Sequence, residues 1–334
     1  MATENKIIIS IILPMLDAEA DIEVLFSHIS KQEGVNKREI EIIVVDDGSM
    51  DNTLSEVNRH NHLLEKFHSV RIITHTSRQG LVITRVDGVS AAAGKFITFI
   101  DKKGRPDKDY LFNFLSKKRN IIIGNVYVDK TRSMWGRVLA LIRKRVYYPY
   151  FNHTFNDVDL DYESYSKFKN KGGGGCMFVR RDYYLKVAKT MPTGVHVNDD
   201  SLFVQNLSKI EPILKTSDAK LEYINRTGLW ENIAHLYNRG LKFVDFYAKP
   251  GSRFFIPIVG LVVFVIVNLV IILTLPIILA YEYCVLVVIL LLSALYLSED
   301  TLDFIATVAI LPIAIISFSC GILKGLGLKL LGKY

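Results

Sequence analysis

The chain has 334 residues, half of them hydrophobic, and a formal net charge of +7. That length suits one large domain or two ordinary ones, but all but three of its 41 Lys and Arg precede residue 254, which excludes a uniformly soluble globule. A basic soluble portion followed by an apolar one suits anionic lipid headgroups and a phosphate-bearing substrate, whereas no basic helix with interleaved aromatic residues marks a nucleic-acid partner.

The opening "MATENKIIISIILPML" has a short apolar core closed by Pro14. It is too short to cross a bilayer and lacks a small-residue cleavage pattern, so a buried strand over 7–13 is expected. Apolar side chains at Ile22, Leu25, Phe26 and Ile29 give 17–32 a helical spacing. The β-branched run "EIIVVD" ending at Asp46 predicts a second strand of the kind covered on both faces. After "DDGSMDNT" the pattern predicts a helix over 54–67, a strand "VRIITH" over 70–75, a helix over 80–93 and a strand "KFITFID" over 95–101. This alternation predicts an α/β fold with a doubly wound, mostly parallel, Rossmann-like sheet. Ligands of such sheets sit at the C-terminal ends of the strands. Three of these ends carry polar groups here: Pro14 with Asp17, then Asp46, Asp47, Gly48 and Ser49, and finally Asp101.

From about 120 to 250 the chain holds a strand "NIIIGNVYV", a basic aromatic segment over 131–155, then "KGGGGCMFVRRDYY" and "GVHVNDDSLFVQNL". The stretch "RTGLWENIAHLYNRGLKFVDFYAKPGSRFF" spaces Leu229, Trp230, Ile233, Leu236, Tyr237, Leu241, Val244 and Phe246 against Arg and Lys, the pattern of an interfacial helix. Three hydrophobic stretches follow, 254–275, 277–297 and 302–323, each long enough for a ~30 Å hydrocarbon core. Lys242, Lys249 and Arg253 flank them on one side and Lys324, Lys329 and Lys333 on the other. The positive-inside rule puts both flanks in the cytoplasm and requires an even number of crossings. Three helices conflict with that, unless one is re-entrant or the C-terminal lysines are overruled. The expected domains are therefore 1–225 (cytosolic), 226–253 (juxtamembrane, amphipathic) and 254–334 (transmembrane, about three helices). Cys176, Cys284 and Cys320 form no CxxC pair, so neither a disulfide framework nor a zinc site is expected.

"IIVVDDGSMDNT" places two aspartates at a strand end beside Gly-Ser and a helix-initiating Asp/Asn/Thr. Carboxylates and free backbone NH groups then meet where a base and ribose can be gripped. With "SIILPMLDAEADIEVLF" upstream, the stretch resembles the nucleotide-binding half of family-2 glycosyltransferases, which have the GT-A fold. The resemblance continues in "SRQGLVITRVDGVSAAAGKFITFID", which keeps Gly80, Arg85, Gly88, Ala93 and Gly94 in the family's arrangement but has Val86 where an Asn usually follows the Arg. "GGGGCMFVRRDYY" matches a Gly-rich acceptor-side stretch before a paired Arg, and Asp199-Asp200 matches an acidic pair that opens a helix. "RTGLWENIAHLYNRGLKF" is similar to the Arg/Trp and Arg-Gly region of membrane-bound members that build polysaccharides, which also carry C-terminal transmembrane helices.

The resemblance implies inverting transfer of a sugar from a UDP- or GDP-linked donor to a lipid-linked or glycan acceptor, in the inner membrane with a cytosolic catalytic domain. Inversion needs a base for the acceptor hydroxyl; Asp200 is the candidate, with Asp199 beside it, although "NDDS" reads equally well as an N-cap. Pro14, Asp17, Asp46, Asp47, Gly48, Ser49, Arg85 and Lys103 are the implied donor contacts. Gly174, Gly175, Arg180, Arg181, Arg226, Trp230 and Arg239 are the implied acceptor and diphosphate contacts, arginine because its planar fork donates bidentately; lipid contact is the alternative for Arg239. "GGGG" lacks the Lys-Ser/Thr of a nucleotide P-loop. The family's DxD motif usually holds Mg²⁺ or Mn²⁺, and here it reads Asp101-Lys102-Lys103. Such ions need oxygen donors and an ammonium repels them. Three readings follow: Asp101 holds a metal with help from Asp46 and Asp47, the phosphates and water; Lys102 or Lys103, with Arg180 or Arg181, supplies the charge directly; or the protein binds a nucleotide sugar or a partner enzyme without catalysis.

Overall fold

The computed structural model describes residues 6–151, 153–168, 174–191, 200–252, 254–274 and 277–332. It comprises two compact units, Met1–Asp129 with Val146–Ile224 and Lys130–Arg145 with Asn225–Tyr334.

In the first unit, β1 (Ile9–Met15), β2 (Ile40–Asp46), β3 (Ser69–Thr74) and β4 (Phe96–Phe99) form a parallel block in the order β3-β2-β1-β4. Helices α1 (Ile22–Ser30), α2 (Thr53–His60) and α3 (Leu81–Ala91) connect them. β1 and β2 are buried at every position, so their unbroken apolar sequence follows from having no solvent face. Alternate residues divide between two cores: Ile11, Leu13, Ile42 and Val44 face the layer of α1 and α2, while Ile12, Ile43 and Val45 face the layer of α3. Met15 stands level with Asp46, and Ile12 with Phe99. The loops after β1, β2 and β4 therefore leave the sheet along one edge.

The chain continues through β5 (Gly104–Pro106), α4 (Tyr110–Ser116) and β6 (Ile121–Tyr127), and then leaves this unit to form α5 (Met134–Val146). It returns for β7 (Val158–Leu160), α6 (Tyr162–Lys167), β8 (Met177–Arg180), α7 (Arg181–Ala188), α8 (Asp200–Leu207) and β9 (Ile213–Tyr223). β8 runs antiparallel to both β4 and β6, β6 runs parallel to β9, and β5 and β7 pair antiparallel with β9. The sequence pattern does not announce β9, because Lys215, Thr216 and Ser217 interrupt its apolar run although all three are buried. Lys215 donates to the Gly124 carbonyl, and burial lowers its pKa to about 8.

The second unit consists of α5, α9 (Leu229–Tyr247), α10 (Phe255–Thr274), α11 (Ile277–Leu297) and α12 (Thr301–Leu330). A boundary at 225 leaves 130–145 in the soluble domain, but the structure assigns that stretch to the C-terminal unit. The reason is long-range pairing that local sequence does not display. Lys130 Nζ lies 2.9 Å from Asp303, 3.2 Å from Asp300 and 3.3 Å from Glu299. Arg137 also pairs with Asp303, and Lys144 with Glu299. Trp135 and Val138 pack on Ala306 and Ile310. Helix α9 packs on α12 through glycines: a Cβ at Gly240 would collide with the Phe318 carbonyl, and one at Gly321 with the Tyr237 carbonyl. Among the described residues, α10, α11 and α12 are long and apolar enough to cross a membrane.

Candidate active site

The edge after β1, β2 and β4 carries the polar residues singled out in the sequence. Pro14 pairs in register with Val45 and closes the apolar run of β1. Asp17 follows with φ +49°, a left-handed conformation that aspartate tolerates better than most residues. Its Oδ1 accepts from Met50 N at 2.9 Å, and its own N donates to Ser49 Oγ at 2.9 Å. Asp46 is buried, and its Oδ1 accepts from Ser49 N at 3.3 Å and from the Ser49 hydroxyl. Gly48 has φ +74°, and a Cβ there would stand 2.8 Å from the Ser77 carbonyl carbon. Conformation and space both select glycine at this turn.

Asp47 is differently employed. Its Oδ1 accepts from Gln79 N at 2.8 Å and lies 2.9 Å from His75 Nδ1, and its Oδ2 accepts from Gly80 N at 2.9 Å. His75 Nε2 lies 3.1 Å from Asp87 Oδ2. Burial opposes the charge on Asp47, but hydrogen bonds from His75, Gln79, Gly80 and Thr84 outweigh it and hold its pKa below the ordinary carboxylate value. Asp47 thus fixes the loop that enters α3. His75 and Asp87 were not legible as part of this arrangement; the available signal is a histidine closing a strand, five residues before the glycine that precedes α3.

Asp101 emerges two residues after β4. Arg85, buried on α3, brings Nη2 to 3.5 Å from Asp101 Oδ1, and its guanidinium lies 5.3 Å from the centroid of the Phe99 ring. Gly175 approaches the same carboxylate, since a Cβ there would lie 3.2 Å from Asp101 Oδ2; Gly174 belongs to the same short turn. Lys102 Nζ donates to the Leu16 carbonyl at 2.6 Å and to the Asp17 carbonyl, tying the β4 loop to the β1 loop. Lys103 Nζ lies 3.2 Å from Asp21 Oδ1, which Arg105 also approaches at 3.3 Å. Among the described residues, no three His, Cys, Asp or Glu side chains converge as a metal-ligand set. One carboxylate with a guanidinium beside it and two lysines after it does not fit a protein-built Mg²⁺ or Mn²⁺ cage.

The antiparallel course of β8 separates the remaining candidates. It pairs Thr98 with Phe178 and Phe96 with Arg180, so Gly175 lies toward Asp101 and Arg180 toward the other end of β4. Arg180 grips Asp182 with two nitrogens, and Arg181 donates to the carbonyls of Val89 at 3.0 Å and Ser90 at 3.1 Å. The structure brings neither arginine to Asp101. Asp200 is the first residue of α8, and Asp199 lies outside the described residues. Arg226, Trp230 and Arg239 belong to the second unit. There Arg226 Nε pairs with Glu231 at 3.2 Å and Trp230 is exposed. Arg239 lies one turn beyond His235, whose pKa is lowered to about 4 by burial first and then by Arg226, Arg239, Arg143 and Lys242.

This arrangement is that of a doubly wound α/β protein with a polar strand-end edge, and the sequence comparison gives the family. The model of glycosyl transferase family 2 matches residues 10–184, more than half of the chain, and the chain belongs to that family. An uncharacterized glycosyltransferase of Haemophilus influenzae is 30% identical over 122 residues, 36% of this chain and 44% of its own length. Glycosyltransferase GlyG of Streptococcus pneumoniae is 28% identical over 124 residues, 36% of this chain and 39% of its own. The chain thus matches less than half the length of these curated relatives. Residues 1–349 of Staphylococcus aureus TarS, solved in complex with UDP-GlcNAc, superpose with a TM-score of 0.52 at 16% identity, covering 71% of this chain and 67% of that one. That likeness shows the fold, a GT-A-type mixed sheet.

Proposed function

We propose that this protein is an inverting glycosyltransferase that moves a sugar from a UDP- or GDP-linked donor to a lipid-linked or glycan acceptor, in the cytoplasmic membrane with its α/β unit on the cytosolic side. The observation that carries this reading is the shared C-terminal edge of β1, β2 and β4. It presents Asp17, Asp46 and Ser49 on one side, and Asp101 with Arg85 and Gly175 on the other; doubly wound sheets bind nucleotides at such edges. A TarS structure of this fold holds UDP-GlcNAc, which supports a nucleotide-sugar donor.

In this reading the loops after β1 and β2 hold the nucleoside. Asp200, opening α8, takes the proton from the acceptor hydroxyl as its oxygen attacks C1 and the bond to the diphosphate breaks on the opposite face. Charge on the leaving diphosphate is met by fixed cations near Asp101, among them Arg85, 3.5 Å from that carboxylate. With fixed cations in that role, activity is expected to survive EDTA; its abolition would show that a divalent cation is obligatory.

The test supplies purified protein with membrane lipid extract and radiolabelled UDP- and GDP-sugars. Label entering the lipid or polymer fraction, and falling by about 10²–10⁴-fold in Asp200→Asn, is the expected outcome for a general base. Equal incorporation by that variant would remove Asp200 from the role. Nucleotide-sugar binding with no incorporation from any donor would leave the non-catalytic reading.

A further inference from the structure

The geometry points to a membrane topology that the hydrophobic stretches do not reveal: α12 lies along the bilayer surface on the side of the α/β unit, and α10 and α11 alone cross, as a hairpin. The partner of the exposed apolar side of α12 is then the headgroup–acyl boundary of the lipid.

Helix α5 fixes the start of α12. Its thirteen residues extend about 20 Å, too short to cross, and the chain enters it from the soluble unit and returns there. Both of its ends therefore stay on that unit's side. Arg145 of α5 lies 5.2 Å from the ring centroid of Tyr296, at the end of α11. Lys130, Arg137 and Lys144 pair with Glu299, Asp300 and Asp303, where α12 begins. The end of α11 and the start of α12 are thus fixed on the same side.

Helix α9 sets the other end. It runs parallel to α12: Leu236 packs near Ile310 and Ile313, Gly240 meets Phe318, Val244 meets Gly325, and Lys329 Nζ reaches the Ala248 carbonyl at 3.5 Å. A crossing α12 would carry α9 through the hydrocarbon beside it. Yet α9 bears Glu231, Arg239 and Lys242, and charged groups at bilayer depth are costly. Phe254, just before α10, packs on Phe243 and Tyr247 of α9 with ring centroids 5.1 and 4.8 Å away. The far end of α12 therefore lies beside the entry to α10, on the side from which α10 departs.

The two remaining helices behave as a hairpin. Asn268 Nδ2 donates to Glu282 Oε1 at 3.1 Å, and these residues stand about 20 Å from the start of α10 and about 22 Å from the end of α11. Equal depth is what an out-and-back pair requires. Of the apolar windows of α10 and α11, 6% is buried within the protein, against 28% for α12, so α10 and α11 turn most of their surface to lipid. Leu302, Ile305, Ile315 and Ile316 of α12 remain exposed, as suits a helix with one side in the acyl boundary. Two crossings also place Lys242 and Lys249 on the same side as Lys324 and Lys329, as the positive-inside rule asks.

The experiment uses the full chain tagged at either terminus in sealed vesicles of known orientation, probed with a membrane-impermeant reagent. Both tags are expected to react in the same orientation; tags on opposite faces would overturn the inference. Depth is read on Ile316→Cys in a Cys284→Ser, Cys320→Ser background, labelled with a fluorophore and quenched by spin-labelled lipids. Shallow quenchers are expected to act at least about twofold more strongly than deep ones, because an interfacial helix sits ~5–10 Å below the surface. Stronger quenching from the bilayer centre would overturn the surface placement of α12, whichever face the tags occupy.

Discussion

Asp47 in the α/β unit and Asp303 in the helical unit are both buried carboxylates, and they are stabilised in different ways. Asp47 is held mainly by backbone NH groups and a histidine within one short loop. Asp303 is held by Lys130 and Arg137, more than 160 residues away, and by Glu299 N at 3.0 Å. The first arrangement fixes the loop that enters α3 at the strand-end edge. The second fastens residues 130–145 to the last helix, and its cost if broken is larger because two cations would lose a buried carboxylate and keep only the part-exposed Asp300 and Glu299.

The most severe test of that difference is Asp303→Ala. Removing one partner of a buried ionic group costs about 3–5 kcal/mol, so thermal unfolding in detergent is expected to shift strongly downward. A loss below about 1 kcal/mol would mean that the ionic cluster is dispensable.

Lys215 sharpens the same contrast, since its hydrogen bond goes to a carbonyl. Its folded pKa of about 8 lies below its ordinary value of 10.5, so between these values the unfolded chain binds more protons and stability rises with pH. The penalty is fully present below pH 8 and amounts to about 3 kcal/mol at 1.36 kcal/mol per pH unit. Lys215→Met is expected to raise the unfolding temperature at pH 7 and to remove that rise; an unchanged pH profile would refute a buried, depressed lysine.

Asp47→Asn probes the local network, with an expected cost of about 1–3 kcal/mol and weaker binding of UDP or GDP by calorimetry. Because the folded pKa of Asp47 is lowered, its contribution is present above its unfolded value and is lost as pH falls through the folded one. In the variant the acid-side slope of stability is expected to flatten.

The smallest effect is expected for Lys103→Ala. Its pairing with Asp21 is partly solvated, and Arg105 remains beside the same carboxylate, so the loss is at most about 1 kcal/mol. Unchanged nucleotide affinity is expected, and a large fall in affinity would show that Lys103 reaches the donor.

Local chemistry made much of the fold legible. Seven-residue β-branched strands, helical spacing at Ile22, Leu25, Phe26 and Ile29, and turn residues after Asp46 each act over a few positions, and the corresponding elements are present. The location of Asp101 at a strand end was legible for the same reason. β9 was not, because its buried Lys215 and Ser217 donate to the carbonyls of Gly124 and Phe155, far away in the chain.

The sequence by itself determined the alternating sheet, the edge that bears Asp46, Asp47 and Asp101, and the three long apolar helices, because periodicity and turn residues are properties of neighbours in the chain. Tertiary structure alone decided that Asp47 is committed to the α3 loop, that Lys103 turns to Asp21, and that β8 carries Arg180 away from Asp101. It also decided that α5 joins the C-terminal helices. Each of these depends on which distant segments become neighbours and in which direction they run, and no local pattern encodes either.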